Sequence, residues 1–284
     1  MRNYKDFYYD VADGLTLYAR DYPGPDNSKG CVLMMHGLTR NSRDFAVLAE
    51  KLSNTHRVLV AEQRGRGKSD WDSQPERYAI PTYVGDMFRL LEVAEEKQVA
   101  AVGTSMGGLM AMVMNAANPG VFSHVVLNDI GPELSKVGLD RISSYVGQGG
   151  PVSTWEEAIA YNRSINGVAF PMLTDEQWET FTRQLFNECD GVPYLDYDPA
   201  ISQAVKADDG SAAPPDLWPV YKLLNVQPLM LVRGAISDLL DADIRDRMIE
   251  EIPDLAYVEV PNVGHAPMLI DEAVTEVIQQ FITA

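Results

Sequence analysis

The chain has 284 residues, 46% of them hydrophobic, enough for one large core carrying an insertion or for two modest domains. A formal net charge of -18 argues against nucleic acid, whose phosphates need clustered Lys and Arg, and disfavours strongly anionic substrates unless a local positive pocket overrides the average. No apolar run approaches the roughly 18 residues of a membrane span, MRNYKDFYYD is too polar for a signal peptide, and Cys31 and Cys189 make no zinc or redox spacing, so the expectation is a soluble, cytoplasmic protein without a disulfide framework.

In chain order, FYYDV and LTLYARDY flank the hairpin signal ADG, and the turn-rich PGPDNSKG leads into CVLMM. Strand and helix patterns then alternate: CVLMM, a helix over NSRDFAVLAEKLS, the strand RVLVAEQ, a helix over PTYVGDMFRLLEVAEEK, and the short apolar strand VAAVG. This is the β-α-β rhythm of a parallel sheet. LMAMVMNAA predicts a further helix, ended by Asn118 and Pro119, and SHVVLND another buried strand. From Gly131 to about Gln227 strong strand runs cease. Helix starts replace them, with Ser153 to Glu156 and Thr174 to Gln177 both fitting a capping box. Three of the four tryptophans, Trp155, Trp178 and Trp218, fall in this stretch. It reads as a helical cap, residues 133–220, inserted into a sheet domain made of residues 1–132 and 221–284. Most of its aromatics are expected to hold the cap together, and some to face the site. Sheet rhythm resumes with PLMLVRG, a helix near DADIRDRMIEEI, the strand AYVEV and a final helix from about Met268 to Ile282.

The chemistry gathers at strand ends. Gly103-Thr-Ser105-Met-Gly107 joins a strand directly to a helix, a turn in which small flanking residues let a strained serine point its oxygen out of the fold. Serine is a poor nucleophile at neutral pH and needs a histidine base, which in turn needs a carboxylate to set its tautomer. Of four histidines, His265 in PNVGHAP follows the strand AYVEV in a Gly/Pro-flanked loop, at the carboxyl end of a strand where open α/β sheets place their chemistry. His56 and His124 adjoin apolar strands and read as structural or solvated. For the acid, Asp238 in GAISDLL is the first choice and Asp129 in LNDIGP its rival; each follows a strand, and each also fits a turn-capping role. Asp241 and Asp243 read as helix-start residues. An oxyanion hole needs two backbone N–H donors. Met106, directly after the serine, supplies one candidate, and Leu38 in MMHGLTRNS the other, with Gly37 turning the chain and His36 bracing the loop.

Five motifs together, HGLT, RGRGKSD, GTSMGG, GAISD and VGHAP, resemble the α/β-hydrolase superfamily in content and order, over the whole chain except the cap. The resemblance implies an α/β fold with a mostly parallel eight-stranded sheet, helices on both faces and a cap after the sixth strand. It also implies triad roles for Ser105, Asp238 and His265. The sequence departs from it at Glu62, where relatives commonly carry Asp. Gly67-Lys68-Ser69 imitates the end of a phosphate-binding loop, but Glu62 stands where that loop needs glycine, and no HExxH is present, so neither a nucleotide nor a metal cofactor is indicated. The expected activity is therefore cofactor-independent hydrolysis of a carboxylic ester with small to medium apolar groups, the small-molecule ester being the expected partner, with no nucleic acid and no membrane. A lactonase, a carbon-carbon bond hydrolase, a perhydrolase or an acyltransferase would use the same triad, and a ligand receptor would keep the pocket without the chemistry. The sequence carries no signal of oligomeric state.

Overall fold

Eight strands form one twisted sheet in the computed structural model, which describes residues 3–149, 152–203 and 216–284. They are β1 (Lys5–Asp10), β2 (Thr16–Tyr22), β3 (Cys31–Met35), β4 (Arg57–Glu62), β5 (Val99–Thr104), β6 (Phe122–Asn128), β9 (Leu229–Gly234) and β10 (Ala256–Val260), in spatial order β1-β2-β4-β3-β5-β6-β9-β10. The β1–β2 and β2–β4 pairings are antiparallel and the remaining five parallel. Both faces of the centre are covered, which is why a strand such as β3, CVLMM, is buried at every position. Alternation still sorts its side chains: Val32 and Met34 pack beneath α1 (Ala46–Leu52) and α9 (Glu272–Thr283), whereas Leu33 and Met35 face the layer of α2 (Ile80–Val93), α3 (Met106–Ala117) and α8 (Ala242–Glu251).

Two expected helices begin later than the sequence pattern suggests. Asn41 opens a short 3₁₀ turn, Ser42–Phe45, before α1 starts. The last helix starts at Glu272 rather than near Met268, because the Asp271 carboxylate accepts the free amides of Ala273 and Val274 and fixes the boundary there.

Between β6 and β9 lie α4 (Lys136–Tyr145), α5 (Trp155–Asn166), α6 (Asp175–Leu185), the hairpin β7 (Phe186–Cys189) with β8 (Val192–Leu195), and α7 (Trp218–Lys222). The described residues of this stretch add no strand to the large sheet; positions 150–151 and 204–215 of the expected cap lie outside them. Thr174 and Gln177 make the expected reciprocal capping box. The other start shifts by one residue and forms no reciprocal box: Thr154, not Ser153, accepts the Glu157 amide, while Glu157 Oε2 accepts the Ser153 amide. The hairpin is the larger departure from an all-helical cap. Its turn is Asp190-Gly191, both with positive φ (51° and 81°), the pairing that two-residue hairpins favour. Phe170, Trp178, Phe181 and Phe186 form a core of the insertion's own, while Trp218 packs with Tyr221 in the main core. No helix among the described residues is long and apolar enough to cross a membrane.

Candidate active site

Ser105 sits between β5 and α3 with φ 52° and ψ -117°, a strained conformation for a residue with a side chain. Glycine makes the turn possible by closeness as well as by freedom. A Cβ on Gly107 would run into the carbonyl of Met35, and one on Gly103 into the backbone of Gly107, so strand and helix pass within contact of each other. The Ser105 amide is anchored to the Asn128 carbonyl at 3.0 Å, tying the elbow to the neighbouring strand β6.

His265 lies in the loop between β10 and α9, its Nε2 2.8 Å from Ser105 Oγ. Its Nδ1 is 2.7 Å from Asp129 Oδ2, and this carboxylate is completely buried. A carboxylate only accepts, so Nδ1 carries the hydrogen and Nε2 is left to accept from the serine hydroxyl. Asp129 follows β6 at φ 56° and is held on both oxygens. Gly234 N–H donates to Oδ1 at 2.8 Å and Ser237 Oγ–H to Oδ2 at 2.6 Å. Ser105, His265 and Asp129 thus form one hydrogen-bonded line.

Asp238, the first choice from sequence, is not in that line. Its carboxylate turns to Arg141 of α4, which grips it through Nε and Nη2. Burial tends to raise the Asp238 pKa, but the Arg141 hydrogen bonds and charge outweigh burial and hold it below the usual carboxylate value. The neighbour Ser237 points inward and supports Asp129 instead. The order Ser, Asp, His along the chain is met by either acid and does not discriminate between them; the tie is broken by Arg141, which comes from the insertion, and by β6 lying directly beside the serine strand.

The expected oxyanion donors flank the serine. Met106 is the first residue of α3, so its N–H has no acceptor within the helix. Leu38 follows Gly37, whose Cβ position lies 3.6 Å from Ser105 Cβ, so this loop runs alongside Ser105. His36 braces it as expected: the ring donates from Nδ1 to the Gly37 carbonyl at 2.7 Å and accepts the Gln63 amide on Nε2 at 3.3 Å. Full burial depresses its pKa to about 3, so it stays neutral and keeps both bonds. Glu62 is likewise structural, accepting from Ser42 Oγ and the Ser42 and Lys68 amides in the interior.

A cavity of about 90 Å³ opens over Ser105 and His265. The insertion roofs it with Tyr145, Tyr161, Phe170, Phe181 and Tyr197. Of these, Tyr145 comes from α4. Trp178 and Phe186 pack behind the lining residues rather than in it. Arg40 also reaches the wall, stacked on Phe181 and paired through two nitrogens with Asp44.

Residues 32–280 match the model of the alpha/beta hydrolase family. The chain belongs to that family. A curated relative from Cupriavidus necator, a 3-hydroxybutyrate-oligomer hydrolase, is 35% identical over 260 residues, covering 87% of this chain and 86% of its own. A 2-(acetamidomethylene)succinate hydrolase from Mesorhizobium japonicum is 27% identical over 89% of this chain and 88% of its own. Among solved structures, an alpha/beta hydrolase from Novosphingobium aromaticivorans superposes with a TM-score of 0.94 at 37% identity, covering 100% of this chain and 99% of the other. The fold is therefore a hydrolase fold throughout, insertion included.

Proposed function

We propose that this protein is a serine esterase that cleaves short-chain carboxylic esters through an acyl-enzyme, with Ser105, His265 and Asp129 as its triad. The observation that carries the reading is the hydrogen-bonded line from the buried Asp129 carboxylate through His265 to the Ser105 hydroxyl, ending at the floor of a largely apolar cavity. His265 Nε2 takes the serine proton as Oγ attacks the ester carbonyl, and Asp129 stabilises the resulting imidazolium. The carbonyl electrons move onto oxygen, which receives the Leu38 and Met106 amides. When the tetrahedral adduct collapses, His265 returns the proton to the departing alcohol. Water, activated by the same histidine, then releases the acid. The relative from Cupriavidus necator supports esters of short hydroxy acids as the substrate class.

The test is chromogenic turnover of p-nitrophenyl acetate and butyrate, together with release of 3-hydroxybutyrate from its dimer, in wild type and Ser105→Ala. Wild type turns over, a fluorophosphonate labels Ser105, and the alanine variant loses on the order of 10⁴-fold or more in kcat while folding normally. Retention of more than a tenth of the activity in a pure Ser105→Ala sample sinks the assignment.

A further inference from the structure

Two arginines of the loop after β4 are almost completely buried, and they are treated very differently. The Arg64 guanidinium is surrounded by carboxylates, with Asp13, Asp72 and Asp86 each at 2.6–2.7 Å. Arg66 is more deeply buried still, at 0% exposure, yet among the described residues its hydrogen bonds all go to neutral acceptors. Nε donates to the Leu38 carbonyl at 2.9 Å, Nη1 to the Arg64 carbonyl and the Tyr83 hydroxyl at 2.8 Å each, and Nη2 approaches Met106 Sδ at 3.9 Å. The faces of Tyr78 and Tyr83 lie 5.7 and 4.9 Å from its central carbon. A buried charge without a counter-ion is costly, and a core that needed only volume is better served by Met or Leu.

Two of the residues this cation touches, Leu38 through its carbonyl and Met106 through its thioether sulfur, are the expected oxyanion donors beside Ser105. Its bond to the Leu38 carbonyl restrains the chain at one donor, and its contact with Met106 Sδ braces the side chain of the other. The loop that carries it has little freedom to move: Gly67 N–H donates to the Asp196 carbonyl, Asp198 N–H to the Gly65 carbonyl, and Arg66 pairs with Tyr197 across an isolated bridge. We propose that Arg66 is a positioning residue for the oxyanion pocket, restraining Leu38 and setting a positive charge, with no carboxylate partner among the described residues, beside the two residues whose amides would receive the developing negative oxygen. Its missing counter-ion is then the oxyanion itself, present only while the carbonyl is tetrahedral. Such a charge stabilises the transition state more than the neutral ground-state ester, so it acts on kcat and not on substrate binding.

This rests on the ester-hydrolase reading, and the experiment separates the two. Arg66→Met and Arg66→Lys are compared with wild type for p-nitrophenyl acetate kinetics, and for the affinity of phenylboronic acid, which forms an anionic tetrahedral adduct on a serine nucleophile and is read as protection of Ser105 from fluorophosphonate. Thermal unfolding and circular dichroism show which variants fold. Arg66→Met is expected to lower kcat on the order of 10- to 100-fold with KM changed less than threefold, and to weaken the boronate by a similar factor. Arg66→Lys, which keeps the charge but not the fork, recovers part of both losses. If Arg66→Met does not fold, the Lys variant decides: a fall in kcat matched by weaker boronate supports the proposal. Boronate affinity equal to wild type in the folded variants overturns it, as does a loss that falls on KM. If wild type binds boronate at Ser105 but cleaves no ester, the substrate reading fails and the boronate comparison still decides the role of Arg66.

Discussion

Asp129 and Asp238 differ little as sequence and greatly as chemistry. Both follow strands at the carboxyl edge of the sheet, but only Asp129 has its carboxylate aimed at His265 Nδ1, with Gly234 N–H and Ser237 Oγ–H also donating to it so that both oxygens are engaged. Replacing it by Asn leaves the shape almost unchanged and supplies an N–H donor in place of an acceptor, favouring the wrong imidazole tautomer. Asp129→Asn is therefore expected to lower kcat by several orders of magnitude, as the same change does in a serine protease triad. Asp238→Asn should alter kcat less than about threefold and act mainly on stability, since it weakens a half-buried ion pair with Arg141. Steady-state kinetics on both purified variants check this. The opposite ranking returns the acid to Asp238.

Elements set which glycines are replaceable. In the elbow, Gly107 lets α3 start against the carbonyl of Met35, and a methyl group there has backbone on the other side with no room to retreat. Gly85 lies inside α2, exposed, with no atom within 4 Å of its Cβ position. Helix propensity alone decides there, and alanine is better than glycine by about 0.5–1 kcal/mol. Gly85→Ala is thus expected to raise the melting temperature by a few degrees with kcat unchanged, and Gly107→Ala to give little folded, active protein. Thermal unfolding of the two variants tests the pair; a Gly107→Ala protein as stable and active as wild type contradicts the close strand-helix contact.

For the whole molecule, the loops of the sheet domain carry Ser105, Asp129 and His265 and the insertion roofs the cavity over them, so on the proposed reading the substrate range follows how the two meet. The resulting cavity, about 90 Å³, is smaller than the roughly 150 Å³ that encloses a benzene ring. Each methylene buried in it contributes about 0.8 kcal/mol until the space is full, a factor of at most about four in kcat/KM. Across p-nitrophenyl esters from acetate to palmitate, kcat/KM is expected to peak near an acyl chain of about four carbons and to fall beyond it, the cavity holding little more than a short chain. A flat profile, or one still climbing at palmitate, shows that Tyr161, Phe170 and Phe181 do not close an acyl pocket.

Local rules carried the sequence a long way. The alternation of apolar strands with helices determined the parallel sheet, and the glycines around Ser105 determined the elbow, because a tight strand-to-helix turn accepts few other residues. His265 was legible too, lying in a Gly/Pro-flanked loop at a strand's carboxyl end. The Asp190-Gly191 turn was a readable hairpin signal inside a stretch otherwise rich in helix starts, and it alone marks β7 and β8. Other features have no local signature. Which aspartate reaches His265 depends on an arginine 97 positions from Asp238, brought there by the insertion. The meeting of Arg66 with Leu38 and Met106 spans 28 and 40 positions, and the presence of Tyr145 in the cavity over Ser105 depends on how α4 is laid over the sheet. Periodicity and turn chemistry act over a few residues of chain, whereas ion pairing and cavity walls depend on distance in space, which only the packed molecule decides.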